Sequence, residues 1–167
     1  EIFLHLILDT LRAGRQALYL LPEIAVTKQM TERLADVLGP RLLVYHSGLT
    51  DRERSEVWRR LLRTDSEPAV VVGVRSSLFL PFDRLGLIVV DEEHEPSYKQ
   101  NYPAPRYHAR NAALMLARMH GARALLGSAT PSLETYYLAR TGRYGLVTLT
   151  ERYGAAPEPE IMLVDTK

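Results

Sequence analysis

The chain has 167 residues, 46% of them hydrophobic and 25% charged, with a formal net charge of +1. That is the composition of one soluble globular domain with a core of its own, for which the cytoplasm is the default compartment. No apolar run approaches the ~18–20 residues of a membrane span, and a chain with no cysteine has neither a disulfide framework nor a thiolate zinc site.

Ile2, Phe3, Leu6, Ile7 and Leu11 recur at helical spacing and predict a helix over 1–13, ended by Gly14. A strand over 17–21 is stopped by Pro22. A second helix is predicted over about 24–38, with Glu23 as a capping residue at its start and Gly39-Pro40 as its stop. After a short strand over 42–45, Thr50-Asp51-Arg52-Glu53 has the form of a capping box and starts a helix to about Arg63. On that helix Arg52, Arg54, Arg59, Arg60 and Arg63 are interleaved with Glu53 and Glu56, which reads as a solvated face, and Trp58 is expected in the core.

Strands follow over 69–72 and 87–90, and a loop with Pro96, Pro103 and Pro105 leads into a helix over about 106–119. A strand over 124–126 precedes a helix from Pro131 to about Ala139, with Thr130 as a candidate N-cap. Beyond Gly142 lie two short extended runs, 146–149 and 161–164, joined by a linker over 153–160. Strands alternating with helices predict an α/β fold with a mostly parallel sheet and right-handed crossovers.

The chemistry sits behind two of these strands. Leu87–Val90 is followed by Asp91-Glu92-Glu93-His94, and open α/β sheets bind ligands outside the carboxyl ends of their strands. An Asp there can hold Mg²⁺, usually through water, and the next Glu can orient or deprotonate an attacking water. A solvated acidic turn would look the same, so weight falls on a second motif, Gly127-Ser128-Ala129-Thr130, behind the strand over 124–126. No acidic residue lies between Glu95 and Glu134, whereas Lys99, Arg106, Arg110, Arg118 and Arg123 do. Local basicity of this kind suits a polyanion, although charge alone favours a solvated face.

Several blocks run in one order: Pro22-Glu23-Ile24, His46-Ser47-Gly48-Leu49, Gly73-Val74-Arg75-Ser76-Ser77-Leu78-Phe79, DEEH with Ser97-Tyr98-Lys99-Gln100, Arg106-Tyr107-His108-Ala109-Arg110, and Gly127 to Ser132. Together they resemble the primosomal replication-restart helicases, a family of superfamily 2 DNA helicases. The resemblance implies a RecA-like motor lobe over 1–152, with 153–167 leading toward a second lobe. It implies ATP as substrate, Mg²⁺ bound through Asp91, Glu92 positioning the hydrolytic water, and His94 relaying nucleotide state to Ser128 and Thr130.

It further implies an aromatic-rich loop that senses DNA and links it to ATP turnover, in which Tyr98, Tyr102 and Tyr107 stack on bases and Lys99, Arg106 and Arg110 meet phosphates. Pro22, Thr27, Arg75 and Ser76 are the implied backbone contacts to one DNA strand. His46 stays open between a buried or capping role and a functional one. Implied partners are single-stranded and forked DNA and the proteins of primosome assembly in a bacterial cytoplasm. The motor would move 3′→5′, with zinc expected only in parts of the parent outside these residues. Val74 stands where the family often has threonine, and Asn111 where it often has aspartate.

The main departure is that no GxxxxGK[ST] loop occurs, and no lysine lies in the first 27 residues. The family's phosphate loop precedes a helix like 1–13, so the chain is expected to begin just past it and to be inactive alone. Loss of that strand is expected to leave a groove with unpaired edges in the sheet. The alternatives are another superfamily 2 translocase and a non-catalytic DNA-binding lobe.

Overall fold

Five strands, β1 (Gln16–Leu20), β2 (Leu42–Tyr45), β3 (Val70–Gly73), β4 (Leu85–Val90) and β5 (Arg123–Leu126), form one parallel sheet in the order β2-β3-β1-β4-β5 in the computed structural model, which describes residues 1–63 and 67–150. The strands are short and apolar because both faces are covered. Helices α1 (Ile2–Arg12) and α2 (Lys28–Leu38) cover one face, packing Ile7, Leu11 and Leu38 against Ala17, Tyr19, Val72 and Val89. Helices α3 (Asp51–Leu62) and α4 (Ala109–His120) cover the other, setting Val57, Leu61, Ala113 and Ala117 against Leu18, Leu20, Val71 and Ile88. Each such aliphatic side chain contributes roughly 1.5–3 kcal/mol on burial, so this sandwich is the main source of stability.

The register determines where function can sit. Leu20 pairs with both Gly73 and Val90, Tyr45 with Gly73, and Leu126 with Val90. The last residues of all five strands therefore lie side by side, and the five following segments leave from one edge. Gly73 is required there: a Cβ would sit 2.1 Å from Ser77 Oγ and 2.4 Å from the Tyr45 carbonyl oxygen.

Most predicted elements are present, and the departures have local causes. The expected helix over 24–38 divides into a single 3-10 turn, Glu23–Ala25, and α2, because Thr27 accepts from Met30 N at 3.2 Å and is the better cap. Glu23 thus caps nothing in α2. Thr50 and Glu53 form the capping box reciprocally, at 3.3 and 2.7 Å. Trp58 is 44% exposed, since Val57 and Leu61 take the inward stripe of α3.

The sheet has no internal gap, contrary to the expected groove; its outer strands are β2 and β5. A second compact unit begins at Leu133 and contains helix α5 (Leu133–Arg140), so Thr130 lies three residues before that helix and is not its neighbour. Residues 146–149 form no strand, and the runs 153–160 and 161–164 lie outside the described residues.

Candidate functional site

Asp91 leaves the end of β4 with its N–H still donating to Leu20 O at 3.0 Å, which continues the ladder by one residue. Its carboxylate is fixed on both oxygens: Tyr19 OH donates to Oδ2 at 2.7 Å and Glu92 N to Oδ1 at 3.0 Å. Tyr98 OH donates to the Asp91 carbonyl at 2.6 Å and also lies 3.1 Å from Leu20 O. Burial, then the hydrogen bond to Asp91, pushes the Tyr19 phenol well above its ordinary range. Burial and the Asp91 charge do the same to Tyr98. Both tyrosines are therefore locked as neutral donors.

Glu92 is the one described non-glycine residue with positive φ, at 47°. An L-residue there is strained, and such strain persists only where the surroundings enforce it. The effect here is to turn the Glu92 carboxylate outward, half exposed, with Oε2 3.6 Å from His94 Nδ1.

His94 lies between β4 and the loop after β5. Its Nδ1 is 2.7 Å from Ser128 Oγ, and its Nε2 is 3.4 Å from Thr130 Oγ1. Thr130 N in turn donates to Ser128 Oγ at 2.9 Å. The three residues singled out for coupling are thus brought into one cluster.

Glu93, which the motif reading passes over, is the anchor of this edge. Its side chain is 1% exposed and accepts from Arg110 Nη1 at 2.8 Å and from Ser132 N at 2.7 Å. Arg110, 11% exposed, also donates to Ser132 Oγ. Arg110 is therefore not a phosphate contact: it balances a buried carboxylate that would otherwise be unpaired. A third acid in DEEH was the available signal for Glu93. For Tyr19 the signal was its place one residue before the end of β1, opposite Val89 and one strand from Asp91.

The aromatic loop separates into buried and exposed parts. Tyr98 is 1% exposed and cannot stack on a base, which corrects its assignment. Tyr102 is 84% exposed. Tyr107 is half-buried, edge-on to Phe79 at 5.1 Å, and burial raises its phenol despite the opposing charge of Arg75. Lys99 and Arg106 are exposed, Lys99 Nζ donating to Arg106 O at 2.8 Å, and a bridge between Lys99 and His108 closes the loop's base.

Beside it lies a cleft of about 240 Å³, lined by Glu23, His46, Arg54, Arg75, Ser76 and Gln100 among others. Arg75 is half-buried and donates to Ser97 O at 2.8 Å, whereas Ser76 is exposed. Arg54, read in sequence as part of a solvated face, points here and donates to Ser47 O at 2.7 Å. His46 accepts from Gly48 N at 3.1 Å. Pro22 is buried, so its ring reaches no strand of nucleic acid; Thr27 is exposed, and its hydroxyl retains a proton to donate.

The Asp91 carboxylate also fits a Mg²⁺ ion. Asp91 presents hard carboxylate oxygens with lone pairs beyond those used by Tyr19 and Glu92 N. Among the described residues no group of three His, Asp or Glu side chains could enclose a cation. One carboxylate completed by waters and phosphates is the usual manner of Mg²⁺. No helix among the described residues is long and apolar enough to cross a membrane.

The family profile of the DEAD/DEAH box helicases matches residues 1–138. The replication restart protein PriA of Bacillus subtilis (strain 168) is 44% identical over 167 residues, covering 100% of this chain and 20% of that protein. Its namesake from Rickettsia prowazekii is 45% identical over 165 residues, 99% of this chain and 25% of that protein. That of Synechocystis sp. is 38% identical over 171 residues, again 100% of this chain and 20% of the relative. The chain therefore spans a fifth to a quarter of the length of these relatives.

Proposed function

Because the chain belongs to the DEAD/DEAH box helicase family, we propose that it is the DExH-bearing part of an ATP-dependent DNA helicase motor that acts in replication restart. The observation that carries this is the His94 cluster. A histidine two residues beyond the paired acids Asp91 and Glu92 touches both hydroxyls of the SAT loop, which gives the acids a physical connection to a second segment. What the relatives' printed names say of them, replication restart, is extended here to this chain.

In this reading ATP is the substrate, and a Mg²⁺ bound with it would neutralise charge on its β- and γ-phosphates. Asp91 would hold that ion, its carboxylate oriented by Tyr19. Glu92, held outward by its left-handed backbone, would accept a hydrogen bond from the attacking water and aim it. His94 would pass a change at Glu92 to Ser128 and Thr130. The lysine-bearing phosphate loop that the reaction needs is not among these 167 residues. Turnover is therefore a property of the full-length protein.

One DNA strand would run over the cleft, its phosphates meeting Arg75, Ser76 and Thr27, with Lys99 and Arg106 adding charge and Tyr102 a stacking face. Contacts of this kind read no sequence, as a 3′→5′ translocase on single-stranded and forked DNA requires.

The test is strand displacement on a forked duplex by the full-length protein, comparing Ser128→Ala and Thr130→Ala with the unmodified enzyme. Loss of unwinding with much of the ATP turnover retained is expected. Unwinding equal to the unmodified protein would overturn the coupling role.

A further inference from the structure

Tyr19 reaches the acid motif from a neighbouring strand, on the face of the sheet that α1 covers. It lies opposite Val72 in β3 and Val89 in β4 and is 7% exposed. Its ring stands edge-on to Phe3 of α1, with centroids 6.0 Å apart, an arrangement that favours aromatic pairs. Phe3 also lies over Gly127, where a Cβ would come 2.5 Å from its Cζ. Sheet and helix thus hold the ring, and its hydroxyl is delivered to Asp91 Oδ2 at 2.7 Å. Valine or leucine would fill this strand position without a buried hydroxyl to satisfy, so packing alone does not account for a tyrosine.

The hydroxyl acts on the oxygens that would meet an ion. A carboxylate offers about four lone-pair sites. In Asp91 a donor sits on each oxygen, Tyr19 on Oδ2 and the Glu92 N–H on Oδ1 at 3.0 Å. Hydrogen bonds of this kind orient a carboxylate and tune its affinity for a metal. The lone pairs that remain suit a hydrogen bond from a water in an ion's shell better than a grip with both oxygens at once. That difference separates two cations. Mg²⁺ keeps several waters and takes one or two carboxylates, whereas Ca²⁺ takes roughly 6–8 oxygens and often a bidentate carboxylate. Among the described residues no group of three His, Asp or Glu side chains could supply those further ligands.

We propose that Tyr19 determines the metal preference of the nucleotide site: by occupying Oδ2 it makes Asp91 favour hydrated Mg²⁺ over Ca²⁺. The proposal rests on the reading of Asp91 as the Mg²⁺-binding acid and adds the residue that sets its preference. Tyr19 is a positioning residue; it acts through the Asp91 carboxylate.

The experiment measures binding of a fluorescent, non-hydrolysable ATP analogue to the full-length protein in excess MgCl₂, CaCl₂ or EDTA. The unmodified protein is compared with Tyr19→Phe, Tyr19→Leu and Asp91→Asn. The readout is the ratio of the affinities in the two salts, in which losses of stability or of nucleotide contacts common to both cancel. The unmodified protein should bind the analogue more tightly in MgCl₂ than in CaCl₂. Both Tyr19 variants lack the hydroxyl and should shift the ratio toward Ca²⁺ by about fivefold, the worth of one ordinary hydrogen bond. Asp91→Asn should bring binding in MgCl₂ down toward that in EDTA.

An unchanged ratio in the Tyr19 variants, or a shift toward Mg²⁺, would overturn the proposal while leaving Asp91 as the Mg²⁺-binding acid. If one Tyr19 variant does not fold, the other decides. If neither folds, the unmodified protein decides: binding in CaCl₂ as tight as in MgCl₂ rejects the preference itself. Binding by Asp91→Asn in MgCl₂ equal to that of the unmodified protein would instead reject the reading of Asp91, and the role of Tyr19 with it.

Discussion

Glu93 and Arg110 form a buried ion pair, 2.8 Å apart, between the strand end that carries the acids and the first turn of α4. With Ser132 on the same carboxylate, the pair fixes the loop after β5 against the acid motif. Removing one partner leaves an uncompensated charge in the interior. Arg110→Ala or Glu93→Ala should therefore cost about 3–5 kcal/mol, whereas replacing both by apolar residues of similar volume should cost far less. Urea denaturation of the 167-residue chain checks this. A single-variant cost no larger than that of the double replacement would contradict it.

The left-handed backbone of Glu92 predicts a trade between stability and function. Glycine adopts this conformation without the Cβ clash, so Glu92→Gly should stabilise the chain by roughly 1 kcal/mol. The same variant should abolish ATP turnover in the full-length protein. A destabilised Glu92→Gly chain would mean that the carboxylate's contact with His94 outweighs the strain.

Two phenols whose ionisation is suppressed by folding make the protein sensitive to base. The folded-state values of Tyr19 and Tyr98 lie above the unfolded value. Their contribution is therefore complete below the unfolded value of about 10 and is lost as pH rises past it. Each can steepen the fall by up to about 1.4 kcal/mol per pH unit. Stability measured from pH 9 upward should fall less steeply in Tyr19→Phe than in the unmodified chain; identical slopes would count against the buried Tyr19–Asp91 bond.

Much of the architecture was legible because it rests on local rules. The apolar runs over 69–72 and 87–90 mark strands covered on both faces, and the Thr50–Glu53 box and Gly39 mark helix ends by their own chemistry. The functional edge was legible in part for the same reason, since residues following parallel strands must share one edge. What sequence could not supply was the direction of individual side chains in the proline-rich loop. Tyr98 and Tyr102 look alike in the sequence, but Glu95 and Pro96 start a turn that drives the first inward. Arg110 looked like a phosphate contact because its partner, Glu93, lies 17 residues away and is brought near only by folding. Glu23 and Trp58 show the same limit: a nearby competitor, Thr27 at one helix start and Val57 with Leu61 on one helix face, took the expected role.

That separation of the tyrosines predicts different effects on DNA. Tyr102→Ala should weaken single-stranded DNA binding by the full-length protein by roughly 1–3 kcal/mol, the usual worth of one stacked base. Tyr98→Phe should leave affinity unchanged. Equal losses in the two, measured by fluorescence anisotropy, would contradict the assignment of the exposed ring as the stacking one.

The account depends most on Glu92 as the group that aims water at ATP. The decisive measurement is ATP binding and single-turnover hydrolysis by the full-length protein carrying Glu92→Gln. Retained binding with hydrolysis slowed by about 10²-fold or more is the predicted result. Hydrolysis near the unmodified rate would remove Glu92 from the chemistry, and with it the central role given to the acids behind β4.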